Sequence, residues 1–325
     1  MAVSEHVGRA MSEPIGHRGP EHDGDVDGAL ENLVVVPRSR RWQWVGVAVV
    51  FLGLALLLYS VVNNSRFEWH VVGHYLFDRS ILAGLRTTII LTTASMALAM
   101  ALGLILAVMR LSSNVALRSA SVIYIWVFRG TPVLVQLLFW YNLGALYPRV
   151  SLSIPFGPEI VSANANTVFT PWVAALFGLA LNEAAYLAEI IRSGIISVDL
   201  GQIEAARAMG MRRRLRFRRI VLPQALRVMV PPISNETIGM LKYSAVVSVI
   251  AVPELLYSGQ LIYSQTYETI PVLIVVSIWY LVTVTILTAA QAAIERKLAA
   301  GWTGEARDDV RARRRDRWRA WVRVV

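Results

Sequence analysis

The side chains able to do chemistry lie inside long apolar runs. Glu183 and Glu189 fall in a run from Pro171 to about Ile196. Ionisable groups in such a setting are expensive in lipid and usually face the protein interior or a water-filled path. Glu183, near the middle of its run, either walls such a path or pairs with another helix. Glu189 and Arg192 are one turn apart, which favours a local i, i+3 ion pair. Arg129 lies near the end of its own run and can snorkel to the interface. Gln136, in the apolar stretch after Pro132, offers an amide to a substrate or to another helix. A further run, about 224 to 257, is punctuated by Pro231, Pro232, Gly239 and Pro253. It carries Asn235, Glu236, Lys242, Ser244, Ser248 and Glu254. Membrane proteins tolerate broken helices where unwound backbone lines a cavity, and helix ends near mid-membrane offer donors and acceptors to a zwitterion. This segment is therefore the best candidate for a translocation path. The plainer reading is that Pro231 and Pro232 mark only the join between an interfacial helix and a span.

Enzymatic signatures do not emerge. There are no cysteines, so thiolate metal sites are excluded. The five histidines, His6, His17, His22, His70 and His74, form no HExxH pattern. A P-loop requires Gly-Lys-Ser/Thr at its end, but Lys242 follows Leu241 and Lys297 follows Arg296. No catalytic, cofactor-binding or metal-binding constellation is expected. If this chain moves a solute at the expense of ATP, a separate subunit must hydrolyse it.

The surrounding elements read as membrane spans. Of 325 residues 55% are hydrophobic, and the mean hydropathy is +0.51, too apolar for a typical soluble protein. A net charge of +10 can signal nucleic acid, but the arginines flank the apolar runs, which favours membrane topology instead. About 20 residues at 1.5 Å each cross the hydrocarbon core. Runs near 42–62, 81–109, 119–146, 171–196, 224–257 and 271–294 give about six spans in an all-α integral membrane protein. Gly84 and Gly103 would allow close helix contact in the second. The first lacks an A-x-A site and follows too long a polar segment for a signal peptide, so it reads as uncleaved. Residues 1–41 read as a disordered tail and 42–79 as an additional helix with its outer loop. Residues 297–325 form a basic tail, whose stretch from Val310 to Val325 reads either as a cationic interfacial helix or as a solvated segment. With the N-terminus inside, Arg38 to Arg41, Arg110, Arg118, the arginines from Arg207 to Arg227 and the C-terminal arginines all fall inside. The outer loops hold only Arg66, Arg79 and Arg149. This satisfies the positive-inside rule and puts both termini in the cytoplasm.

Between the fourth and fifth runs lies a long polar stretch, 199–225. Asp199 can cap a helix, with Gln202 reaching back as in a capping box. Leu200, Ile203, Ala206 and Met209 recur at helical spacing as an apolar stripe. Gly210 sits where a left-handed residue would end that helix. A second helix runs through the arginines towards Pro223, which disfavours helical geometry at the residue before it. Small side chains at Ala205, Ala206 and Ala208 let another surface approach closely.

Glu204-Ala205-Ala206, then Gly210, then Ile220, Leu222 and Pro223 resemble the EAA loop of ABC importer permeases at every spacing. A wider set points to the polar amino-acid uptake branch. It comprises Gly84-Leu85-Arg86-Thr87-Thr88, Phe128-Arg129-Gly130-Thr131-Pro132 with Gln136, Ala185-Tyr186-Leu187-Ala188-Glu189-Ile190 with Arg192 and Gly194, and Leu241-Lys242 with Val249, Ile250 and Glu254. The similarity covers about 80–296. Departures are the extra first span, an unusually arginine-rich loop, and Tyr243 where an acidic residue is usual. The resemblance implies a type I importer permease fold in a bacterial plasma (inner) membrane, with loop 199–225 docking on an ATPase. It implies an ABC ATPase subunit dimer inside, an extracytoplasmic solute-binding protein outside, and a second permease copy or homologous permease in the bilayer. ATP would be used by the partner subunit, with no cofactor bound directly. Lipid is expected around the spans, and no nucleic acid. Candidate path residues are Arg129, Gln136, Glu183, Tyr186, Asn235, Lys242, Ser244 and Glu254. The rival from another class is an ion- or proton-coupled secondary amino-acid carrier. It would need an internal inverted repeat, of which the sequence gives no convincing sign.

Overall fold

The computed structural model describes residues 41–153 and 159–299. Both expected tails therefore lie outside the described residues, apart from Arg41 and a few residues after Arg296. The chain divides into two compact units, 1–64 and 65–325. In the first, helix α1 (Arg41–Asn63) is apolar over nearly all of its length from Trp44 and has none of its spanning stretch buried within the chain.

The second unit is almost wholly helical. Its elements are α2 (Trp69–Tyr75), α3 (Arg79–Arg110), α4 (Val115–Gly130), α5 (Val133–Tyr141), α6 (Leu143–Leu146), strands β1 (Arg149–Ser153) and β2 (Glu159–Asn164), α7 (Ala165–Val168) and α8 (Pro171–Ile196). Then come α9 (Leu200–Ala208), α10 (Arg213–Arg216), α11 (Leu222–Tyr243), α12 (Leu255–Thr266) and α13 (Thr269–Ala299). Among the described residues four helices, α1, α3, α8 and α13, are long and apolar enough to cross a membrane unbroken. The other two expected spans are bent pairs. Helices α4 and α5 meet at 101°, and the stretch Arg213–Ile250 meets α12 at 45°.

Helices α3 and α8 form the centre of the core, with Leu91, Ala99, Leu106, Ala180, Ala184 and Leu187 buried among them. Gly103 sets their separation: a Cβ there would lie 2.9 Å from the Leu187 Cβ and 3.2 Å from the Ala184 carbonyl oxygen. Gly84 does the same against α12, where a Cβ would meet the Glu254 carbonyl oxygen at 2.9 Å. Replacing Gly103 by Leu should cost about 1–3 kcal/mol, the usual penalty for overpacking. The melting temperature in detergent should fall accordingly. Gly53→Leu, at a position with nothing within 4 Å, should leave it unchanged.

Several local features differ from the sequence reading. The stretch between the third and fourth runs, for which the sequence reading named no regular structure, contains an antiparallel ribbon pairing Arg149 with Asn164 and Ser151 with Ser162. Pro231 and Pro232 do not interrupt their helix, which continues to Tyr243. Nor does Pro223 break the chain before it. Residues Phe217–Val221 form a π-helical turn that runs directly into α11, and Pro223 occupies the first turn of that helix, where its missing N–H is tolerated. Residues 65–79 pack on α13, and the Trp279 Nε1 donates to the Leu76 carbonyl at 2.7 Å. Before α3, Asp78 accepts from the Ser80 hydroxyl and amide. The Ser80 hydroxyl above all holds that carboxyl below its ordinary pKa.

Candidate translocation cavity and coupling helix

The sharp bend between α4 and α5 originates in Gly130-Thr131-Pro132. Pro132 holds Thr131 extended (φ −115, ψ 143) and so ends α4. That end leaves carbonyls without helical partners, which must be satisfied inside the membrane. Three side chains supply donors. The Gln136 Nε2 donates to the Phe128 and Thr131 carbonyls, each at 3.0 Å. The Asn182 Nδ2 donates to the Phe128 carbonyl at 2.8 Å. The Thr131 hydroxyl donates to the Val127 carbonyl at 2.8 Å. Gln136 thus ties the bend together and does not line the cavity, contrary to its expected place on the path.

The bend opens a cavity of about 510 Å³ against α8 and α11. Its polar lining is Arg129, Thr131, Asn182, Glu183, Tyr186, Glu236 and Tyr243. The Arg129 guanidinium lies 4.9 Å from the centre of the Tyr186 ring, a cation–π contact between two residues of the cavity lining. Glu183 is 3% exposed, and its Oε1 has no hydrogen-bond partner among the described residues. Glu183 thus stands in the cavity lining with one carboxyl oxygen unpartnered. The arrangement sets one guanidinium and two carboxyl groups around a half-enclosed space.

Of the expected path residues, Arg129, Glu183 and Tyr186 are brought together here, and the others are not. Lys242 is exposed outside the lining. Asn235 faces α13 and accepts from the Gln291 Nε2 at 3.0 Å. The Ser244 hydroxyl bonds back to the Leu241 carbonyl at 2.7 Å. Glu254 is fully buried and serves the second bend. There the chain passes through a 3₁₀ turn (Ser244–Ile250) and a left-handed Ala251 (φ 58). Glu254 then caps α12, accepting from the Leu256 and Tyr257 amides at 2.9 and 2.7 Å, while the Tyr280 hydroxyl donates to it at 2.9 Å. Asn182, which sequence reasoning missed, stands beside Glu183 in an otherwise apolar stretch; a second polar group there was the available signal. Glu189 takes Arg192 at 2.8 Å, as its spacing suggests, and also Arg110 of α3 at 3.5 Å.

The polar stretch folds as a capped helix. The Asp199 carboxylate accepts from the Gln202 amide at 3.2 Å. The capping box is only half formed, because the Gln202 side chain turns to Gln224 instead, with Gln224 Nε2 donating at 2.6 Å. Helix α9 ends at Gly210, φ +75. The Gly210 amide donates to the Arg207 carbonyl at 2.9 Å and the Met211 amide to the Ala206 carbonyl at 3.0 Å, the paired bonds of a Schellman end. The expected apolar stripe is split. Ala206 is buried and Ile203 half-buried against the chain itself, whereas Leu200 and Met209 are 72% and 81% exposed. Glu204 and Ala205 are exposed as well. Ile220, in the π turn, and Leu222, just beyond it, are half-buried, and Pro223 is exposed.

The model of a family described as the binding-protein-dependent transport system inner membrane component matches residues 99–300. The arginine transport system permease protein ArgU of Corynebacterium glutamicum is 42% identical over 268 residues, covering 82% of this chain and 83% of that protein. The nopaline transport system permease protein NocM of Agrobacterium fabrum is 38% identical over 201 residues, covering 62% and 80%. A crystal structure of an amino acid ABC transporter with histidines superposes with a TM-score of 0.58 at 35% identity, covering 67% of this chain and 94% of that one. With more than half of its length matched to the family model, and with a relative 42% identical over most of both chains, this chain belongs to the binding-protein-dependent transport system inner membrane components, the permease subunits of ABC importers.

Proposed function

We propose that this chain carries polar amino acids across the bacterial plasma membrane, driven by ATP that a separate ATPase subunit dimer hydrolyses. The observation that carries the ATP-driven reading is α9. Its inner face is anchored by Ala206 and Ile203, while Leu200, Glu204, Ala205 and Met209 stand unburied on a helix capped at both ends. Exposed apolar side chains on a rigid cytoplasmic helix are what a partner's cleft would cover. Loop 199–225 is accordingly the coupling element, with Glu204, Ala205, Ala206, Gly210, Ile220, Leu222 and Pro223 in it. A secondary carrier would have no use for such a helix, and the family match disfavours one.

The substrate is taken by the cavity at the α4–α5 bend. Arg129 is the counterpart of the substrate carboxylate, and Glu183 and Glu236 are counterparts of cationic groups. Two carboxyl groups suit a cationic side chain in addition to the α-ammonium, in keeping with a relative named for arginine. A solute-binding protein delivers substrate from outside, and a second permease, identical or homologous, completes the pore. Residues 80–296 are the transporting domain and 42–79 an accessory helix with its outer loop. In this reading ATP is used by the partner subunit, with no cofactor bound directly by this chain.

Reconstitution in liposomes with the ATPase and binding protein tests this reading. ATP hydrolysis should rise with arginine and remain basal with a non-amino-acid solute; ATP-independent uptake would overturn the assignment. Topology gives a separate check. Accessibility tags at residues 20 and 320 should both report the cytoplasm and a tag near 160 the outside, the orientation that the arginine asymmetry demands.

A further inference from the structure

A second cavity lies away from the translocation cavity, beside the coupling helix. It encloses about 550 Å³ and is lined by Ile195, Ile203, Phe217 and Val221 together with Arg213, Arg214 and Arg216. The lining thus combines four apolar residues with three arginines. Two of the apolar residues stand at membrane ends of helices: Ile195 is the penultimate residue of the span α8, and Val221 immediately precedes α11. The apolar part thus lies at the loop-side ends of two helices, one of them long and apolar enough to span a membrane and the other part of a bent pair that meets the same condition. Among the described residues, no carboxylate pairs with Arg213, Arg214 or Arg216. Three guanidinium groups beside apolar side chains at the ends of two such helices match an amphiphile with an anionic head and an acyl chain.

We propose that this groove is a binding site for an anionic phospholipid, its phosphate held by Arg213, Arg214 and Arg216 and its acyl chain laid against Ile195, Ile203, Phe217 and Val221. A soluble acidic partner fits less well. The exposed side chains of α9 that such a partner would meet, Leu200, Glu204, Ala205 and Met209, do not line the groove. Only Ile203 of that helix reaches it. The lipid would brace the base of the coupling helix against α8 and the π turn, so that headgroup composition adjusts how firmly α9 is held.

The full chain in neutral detergent is titrated with dioleoyl phosphatidylglycerol, dioleoyl phosphatidylcholine or glycerol 3-phosphate, and bound ligand is counted by native mass spectrometry. Phosphatidylglycerol should bind well above the other two. The triple variant R213Q/R214Q/R216Q should weaken phosphatidylglycerol roughly a hundredfold, the combined effect of three interfacial arginines. The triple variant R207Q/R218Q/R219Q removes as much charge from the same loop but none from the groove, and should bind as the wild type does. Melting temperatures of both variants establish that they are folded. Equal losses in the two variants would mean diffuse attraction to the loop and would overturn the site. So would equal binding of the two phospholipids, or of glycerol 3-phosphate and phosphatidylglycerol. None of these readings involves transport, so the site stands or falls separately from the proposed import function.

Discussion

Gly210→Val should leave the protein inserted in the membrane and abolish its coupling. Uptake should drop at least about tenfold, the equivalent of the roughly 1–2 kcal/mol by which a left-handed conformation disfavours an ordinary L-residue. A β-branched residue resists it further. The effect is purely one of backbone geometry, because a Cβ at Gly210 meets nothing within 4 Å. At φ +75 the glycine lets its own amide and that of Met211 close the end of α9. With valine the helix end must unwind, and Glu204, Ala205 and Met209 lose their common orientation. Gly210→Asn, which tolerates left-handed geometry better, should recover much of the uptake. Ala205 and Ala206 then separate two roles. Ala206 is 3% exposed and needs to be small for packing within the chain, so a large residue there dislodges the helix from its own protein. Ala205 faces outward, so Ala205→Leu should weaken ATPase pull-down while leaving the melting temperature intact. Normal uptake and pull-down in both Gly210→Val and Ala205→Leu would sink the coupling role of α9.

Removing the charges of the bent-helix cavity should have the other large effect. Glu183→Leu and Arg129→Ala should each raise the substrate concentration for half-maximal ATPase stimulation at least about thirtyfold, the factor for a desolvated charge contact worth about 2 kcal/mol or more. ATPase pull-down should be unaffected, since neither residue is near α9. Arg129→Lys keeps the charge but gives up the planar stack on Tyr186, and should fall between. Lys242→Gln and Asn235→Ala are the internal controls, because both residues lie outside the cavity lining. Unchanged concentration dependence in Glu183→Leu and Arg129→Ala would remove the cavity from the transport path.

The contrast between these two regions reflects what local sequence can encode. The cap at Asp199 and the stop at Gly210 are decided within a few residues, so they were legible from residue type alone. Close approach at Gly84 and Gly103 was legible for a similar reason: a missing side chain in an apolar run has few other uses in lipid. The cavity was only partly so. Arg129, Glu183 and Tyr186 stand out as polar groups in apolar surroundings, but whether such a group turns to a space or to a freed carbonyl depends on helices far off in sequence. Gln136 and Glu254 show this: both looked like path residues, and both repair backbone at a helix break. Hydropathy continued smoothly across Gly130-Thr131-Pro132, which hid a bend that the proline already announced. Pro231 and Pro232 misled in the opposite direction, because α11 packs on α8 and α13 and continues through them.

The π turn at Phe217–Val221 has a mechanical meaning. From Arg213 to Tyr243 the chain contains no left-handed residue, so the segment acts as one shaft. Its lower end borders the arginine groove and its upper end presents Glu236, Met240 and Tyr243 to the cavity. An α-helix advances about 1.5 Å and rotates about 100° per residue, whereas a π turn holds one residue in excess. Moving that excess residue along the shaft would twist the cavity end against the loop end without breaking either. A pull on the loop could in this way be delivered to the carboxyl group of Glu236 as torque.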